Sequence, residues 1–228
     1  MKRLLPTFIL NFILLLFSST SFSQQTTFES LGAYQGGIQS VGAPSFAYHG
    51  DYAYVLFTAA NFMGKIMRYN LVTGDQDISD DLFPTVGASD AAHNDSAIAI
   101  DGDGYIHCWI GMHNHVMKYY RSLTSGSYNS FSANIGTTLN YDGIEDELFT
   151  YPWAATSSNG DVFLIVRNDG PSNRHESQWF FHWDNTNDTW TAEKIYYKEW
   201  YNAYMSHISA DDNNNIHIAT AWSKYHDG

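Results

Sequence analysis

The residues best suited to chemistry in this chain concentrate between His93 and Arg121, HNDSAIAIDGDGYIHCWIGMHNHVMKYYR. His93 stands just before an alternating run, Ser96 to Ile100, and a tight Asp101-Gly102-Asp103-Gly104 turn follows. A second run, Tyr105 to Ile110, then leads to His113. Period-two alternation around an Asp/Gly turn predicts a β-hairpin. In a hairpin the start of one strand and the end of its partner lie at the same end of the sheet. The two imidazoles, twenty residues apart, are therefore expected in one pocket. Imidazole exchanges protons near neutral pH, so the chemistry expected there is general acid–base catalysis.

Comparable turns recur along the chain. Gly50-Asp51 precedes Tyr52 to Phe57, Asn159-Gly160-Asp161 precedes Val162 to Val166, and Asp212 to Asn215 precedes Ile216 to Thr220. With the Asp101 turn they recur about every 53 residues, each between short apolar or alternating runs. Further aromatic runs follow at Lys65 to Asn70, Val116 to Tyr120 and Gln178 to Trp183. Short antiparallel strands at this period predict an all-β fold, a β-propeller of four-stranded blades. A β-sandwich is the alternative, but it does not require so long a period. Four turn-centred units are legible, whereas a seven-bladed ring at this period needs roughly 370 residues. The chain is therefore expected to hold about four blades of a longer propeller, over residues 24–228.

Residues 1–23 read as a secretory signal peptide. Lys2 and Arg3 precede an apolar stretch from Leu4 to Phe17, and Ser21-Phe22-Ser23 supplies small residues before a cleavage point. The stretch is too short and poorly flanked for a membrane span. A secreted protein, extracellular or periplasmic and not held in a membrane, is expected. Cleavage removes two of the 11 basic residues and none of the 24 acidic ones, leaving a formal charge of −15. That acidity argues against nucleic acid as a partner. Cys108 is the single cysteine, so no internal disulfide can form, and its mid-strand place reads as a buried thiol.

His93-Asn94-Asp95-Ser96, Gly111-Met112-His113-Asn114, Thr150-Tyr151-Pro152 and Arg167, sixteen residues after Tyr151, occur in an order that resembles the BNR-4 group of seven-bladed propellers. The resemblance covers roughly residues 40 to 228. That group includes polysaccharide lyases acting on ulvan, a sulfated rhamnose–uronate polymer. The resemblance implies His93, His113, Tyr151 and Arg167 as catalytic residues, with Asn94, Asn114 and Tyr204 in contact with substrate. It implies an anionic polysaccharide as partner; a monomer and catalysis without a required cofactor are also expected. The sialidase-type box Ser-x-Asp-x-Gly-x-x-Trp is absent from the sequence.

These residue types suit β-elimination from a uronate. Removing the C5 proton builds enolate-like charge on a carboxylate, and a guanidinium such as Arg167 can offset that charge. A neutral histidine or a tyrosinate can take the proton, and tyrosine or histidinium can return one to the leaving oxygen. Each residue also has a structural reading. His93 and His113 could bond to neighbouring turns, Tyr151 could pack before Pro152 in extended backbone, and Arg167 could reach solvent from a strand end. His107, in mid-strand, reads as structural. A glycoside hydrolase on rhamnose–uronate linkages is the alternative enzyme, although the nearby Asp101 and Asp103 fall at the far end of the hairpin from the histidines. A non-catalytic carbohydrate-binding propeller is the other alternative, with seven tryptophans and sixteen tyrosines to stack on sugars.

No tight metal-ligand spacing occurs. His207, His217, His226 and Cys108 are nevertheless candidates for a structural zinc ion, and the Asp101 turn has some likeness to a calcium loop without its closing glutamate. Asn94-Asp95-Ser96 and Asn187-Asp188-Thr189 match glycosylation acceptors.

Overall fold

The computed structural model describes residues 46–139, 148–168, 177–197 and 201–224. Among these the regular structure is strand, with two short 3-10 turns at Ala88–His93 and Gly136–Leu139. No helix among them is long and apolar enough to cross a membrane.

Four antiparallel sheets follow one another along the chain. The first holds β1 (Phe46–His49), β2 (Tyr52–Thr58), β3 (Met63–Asn70) and β4 (Gln76–Ile78), with β5 (Phe83–Pro84) also pairing β3. The second holds β6 (Ser96–Ile100), β7 (Ile106–Ile110) and β8 (Tyr119–Arg121). The third runs β9 (Phe149–Thr156), β10 (Val162–Asn168), β11 (Ser177–Asp184) and β12 (Thr189–Tyr197). The fourth pairs β13 (Tyr201–Ala210) with β14 (Ile216–Lys224). The first strands of successive sheets adjoin, β1 against β6, β6 against β9 and β9 against β13. This is the blade arrangement of a β-propeller, and each predicted turn joins the first two strands of a blade.

The second blade has three described strands rather than four. After β8 the chain returns beside it as an irregular segment, through the isolated bridge Ser122 to Phe131 and single backbone hydrogen bonds from Ser132 to Arg121 and from Ile135 to Tyr119, before the Gly136–Leu139 turn. Residues 122–139 are dense in Ser, Thr, Asn and Gly and lack the apolar alternation that a longer strand needs.

Period-two alternation shares each central strand between two seams. From β6, Ile98 and Ile100 face the first blade, joining Ile106, Cys108 and Ile110 of β7 against Tyr54, Leu56, Ile66 and Phe83. Ala97 and Ala99 face the third blade, where Trp109 and Tyr119 meet Val162, Leu164, Val166 and Phe181. The other face of β10, Phe163 and Ile165, packs with Trp153 and Ile208 toward the fourth blade. Strands buried on both faces read as nearly continuous apolar runs, and this explains Ser96 to Ile100. At the turn end the second and third blades meet backbone to backbone. The Gly102 N–H donates to the Gly160 carbonyl at 3.0 Å. A Cβ on Gly160, whose φ is +90°, would lie 2.4 Å from the Gly102 Cα.

Candidate active site

Ser96 pairs with Ile110 at the open end of the β6–β7 hairpin. His93 lies three residues before that pair and His113 three residues after it, so the register carries both imidazoles to the same end. Their rings stack with centroids 3.8 Å apart and planes 7° from parallel. Asp90 lies within the Ala88–His93 turn at a kink, φ −136° and ψ 33°. Its Oδ1 is 2.5 Å from His93 Nδ1, and its Oδ2 meets His113 Nδ1. All three side chains are partly exposed. Burial by itself would raise the Asp90 carboxyl, but the hydrogen bonds from His113 and His93 hold it below the usual carboxylate range.

The loop carrying His113 is fastened on two sides. Gly111, at φ +77°, lies so near the Pro84 carbonyl that a Cβ would come within 2.5 Å of it. Beyond His113, the Asn114 N–H donates to Thr150 Oγ1 at 2.8 Å, and His115 exchanges backbone hydrogen bonds with Phe149. The end of one blade's hairpin is thereby tied to the start of the next blade's first strand.

That strand delivers Tyr151. Ile165 pairs with Trp153, and Arg167 pairs with Thr150, so Tyr151 and Pro152 together oppose Val166 in a β-bulge. Proline has no N–H to give the ladder and fits such a break. The residue before proline was expected in extended backbone, yet Tyr151 has φ +58°. A left-handed conformation in a bulky residue stores on the order of 1 to 3 kcal/mol, which the surrounding structure must offset. The phenol ring thereby comes to 6.2 Å from the His93 ring and 6.5 Å from the His113 ring, between centroids. Arg167 places its guanidinium 4.6 Å from the centre of the Tyr151 ring. Arg167 is only 7% exposed, so it does not extend into solvent as a strand-end arginine often does. The structure therefore brings His93, His113, Tyr151 and Arg167 together at the seam between the second and third blades.

The residues expected to touch substrate fare differently. Asn94 is fully buried, its Oδ1 accepts from the Val86 N–H at 2.9 Å, and its Nδ2 has no hydrogen-bond partner among the described residues. It supports the loop beneath the histidines and, so enclosed, is neither a substrate-facing group nor a glycosylation acceptor in the fold. Asn114 is exposed in a left-handed turn at φ +54°. Tyr204 is the unpaired residue where the β13–β14 register shifts between Ala203 and Met205. It thus repeats the Tyr151 bulge one blade on, but its side chain lies outside the described residues.

Asp90 escaped the reading of the sequence. The available signal was its spacing three residues before His93, in a segment with neither strand nor helix periodicity. Asp90, His93 and His113 also form a cluster whose donor atoms lie within 4.8 Å of one another, as a metal site would require. The stack fits an ion poorly, because in-plane lone pairs of parallel rings run side by side and do not converge on one point. Two Nδ1–H groups set side by side match instead the two oxygens of one carboxylate. The zinc set considered from the sequence does not assemble among the described residues. Cys108 is enclosed in the core between the first two blades, His207 packs on Trp153, and His217 bonds to Asp211. His226 lies outside the described residues.

A chain of adjoining antiparallel sheets, with ionisable side chains at one seam between blades, defines a propeller protein with a candidate site where two blades meet. The BNR-4 family, "BNR repeat-containing family member", matches residues 52–228, and the chain belongs to that family. Among solved structures it is similar to polysaccharide lyase Uly1, with TM-score 0.60 and 18% identity over 86% of this chain and 51% of that one. It is also similar to a PL25 ulvan lyase, seen both alone and bound to -[GlcA(1-4)Rha3S]-, with TM-score 0.63 and 14% identity. Those matches cover 85% of this chain and 47% of the other. The chain thus spans about half the length of the structures it resembles. No curated protein matches.

Proposed function

We propose that this protein is a polysaccharide lyase that cleaves a uronate-containing, sulfated polysaccharide of the ulvan kind by β-elimination. The observation that carries this reading is the convergence of two stacked imidazoles, a phenol and a fixed guanidinium on one seam. Tyr151 and one of the two histidines exchange the protons, taking one from C5 and giving one to the oxygen leaving C4. Arg167, always charged, supports the negative charge that builds as the C5–H bond breaks. The likeness of the fold to lyases, one of them bound to a glucuronate–sulfated rhamnose unit, supports the substrate class. Hydrolysis by the usual pair of carboxylates fits less well. Among the described residues, Asp90 is the carboxylate found beside the imidazoles, and both of its oxygens are occupied by them. The protein acts outside the cytoplasm, as a monomer and without a required cofactor, a reading that rests on the leader-like residues 1–23, the acidic composition and the family resemblance.

The test is ultraviolet absorbance during incubation with ulvan, which reports the C4–C5 double bond of the product. A rise that His113→Ala abolishes, in a variant that stays folded, is expected. New reducing ends without absorbance would overturn the elimination in favour of hydrolysis. Binding without any new ends would leave a sugar-binding propeller.

A further inference from the structure

The two histidines of the site share one carboxylate, and this has a chemical consequence for both. An ionised carboxylate can only accept hydrogen bonds. Asp90 meets Nδ1 of His93 with one oxygen and Nδ1 of His113 with the other. Each Nδ1 must therefore carry a proton, and each neutral ring must keep its lone pair on Nε2. We propose that Asp90 is a positioning residue that locks His93 and His113 in the same tautomer, so that both offer Nε2 as a base. This rests on the reading of the site as a proton-transferring one and adds to it a residue that sets the direction of transfer.

Three features support the assignment. The kink at Asp90 puts the carboxylate in reach of His93 within its own turn and of His113 across the hairpin, 23 residues away. The parallel stack sets the two Nδ1 atoms side by side, where the two oxygens of one carboxylate can meet them. The depressed carboxyl keeps Asp90 in its accepting, ionised form. The remaining polar neighbours approach from other directions. Tyr151 and Arg167 come from the next blade, and His115 Nδ1 lies 2.6 Å from the His113 carbonyl oxygen.

Asp90→Asn discriminates sharply, because an amide has one oxygen to accept and one nitrogen that donates. One imidazole can keep its tautomer, while the other must accept at Nδ1 and move its proton to Nε2. Nitrogen-15 NMR of the ring nitrogens at neutral pH, assigned with His93→Gln and His113→Gln, should show protonated Nδ1 on both rings of the unsubstituted chain. In Asp90→Asn one ring should reverse. Turnover of ulvan should fall about 100-fold in kcat with little change in KM, because a base and not a binding contact is lost. An unprotonated Nδ1 on either ring of the unsubstituted chain, or unchanged tautomers in Asp90→Asn, would overturn the proposal. The tautomers of the unsubstituted chain decide the matter even if Asp90→Asn does not fold. Correct tautomers in a protein inert toward ulvan would instead count against the lyase reading and leave the role of Asp90 intact.

Discussion

The β6–β7 hairpin carries an Asp–His grouping at each end, and the two differ in almost everything but composition. At the open end Asp90, His93 and His113 are partly exposed, and the imidazoles share one acceptor. At the turn end Asp101 and His107 are completely enclosed. His107 Nε2 lies 3.0 Å from Asp101 Oδ2, which also accepts from Arg121 Nη2 at 2.8 Å, while Tyr119 Oη lies 2.7 Å from His107 Nδ1. Asp101 Oδ1 accepts from the N–H groups of Asp103 and Tyr105, closing the turn. Every polar atom of the Asp101 carboxylate and the His107 ring is thus engaged by the protein. Burial forces complete internal satisfaction, and a satisfied group has nothing left with which to meet a substrate. Partial exposure leaves Nε2 of both rings with no partner among the described residues. Equal residue types give structure at one end and candidate chemistry at the other.

Breaking the buried grouping should produce the largest effect. His107→Ala takes away the acceptor of the Tyr119 hydroxyl and a partner of Asp101, both of them enclosed. It should cost about 3 kcal/mol or more in denaturant unfolding. His113→Ala should change the same midpoint only slightly. A smaller free-energy effect belongs to the open end. Tyr151→Phe should lower kcat/KM on ulvan about 100-fold, roughly 2.7 kcal/mol of transition-state stabilisation, with an unchanged melting temperature. If Tyr151→Phe proved unstable but active, the division between the two ends would fail.

The shallowest effect is in pH. Burial pushes His107 below its ordinary value of 6.5, more than Asp101 pulls it back. The unfolded chain then takes up a proton that the folded chain refuses. Stability is complete above pH 6.5 and declines as the pH falls below it. For Asp101 burial opposes ionisation, but His107 and Arg121 outweigh it and hold the carboxyl below 3.8, so a second loss follows in stronger acid. Thermal melts from neutral to acid pH should show both stages, and His107→Ala should remove the first.

The sequence made the hairpin legible because its turn chemistry and alternation agree, and the hairpin alone brings His93 to His113. The recurring turns made the blades legible for the same reason. The bulge at Tyr151 was not, since it depends on the register of β9 against β10, and a residue before proline ordinarily favours the opposite backbone. Asp90 was hidden by its irregular turn. Asn94 stood beside His93 in sequence but faces inward, a distinction that adjacency cannot express. Which seam a side chain enters depends on a neighbouring blade distant along the chain, and no local pattern records that choice.

The glycine contact between the turns of the second and third blades has a mechanical side. At Gly102 and Gly160 the two blades touch with no side chain between them, while the same pair is held apart at the other end by His93, His113 and Tyr151. The contact acts as a fulcrum. Its thickness sets how far the far ends splay, as the spine of a book sets the opening of its pages. A single methyl group at position 160 would be a shim under that fulcrum, felt most strongly at the distant edge where the imidazoles and the phenol face one another.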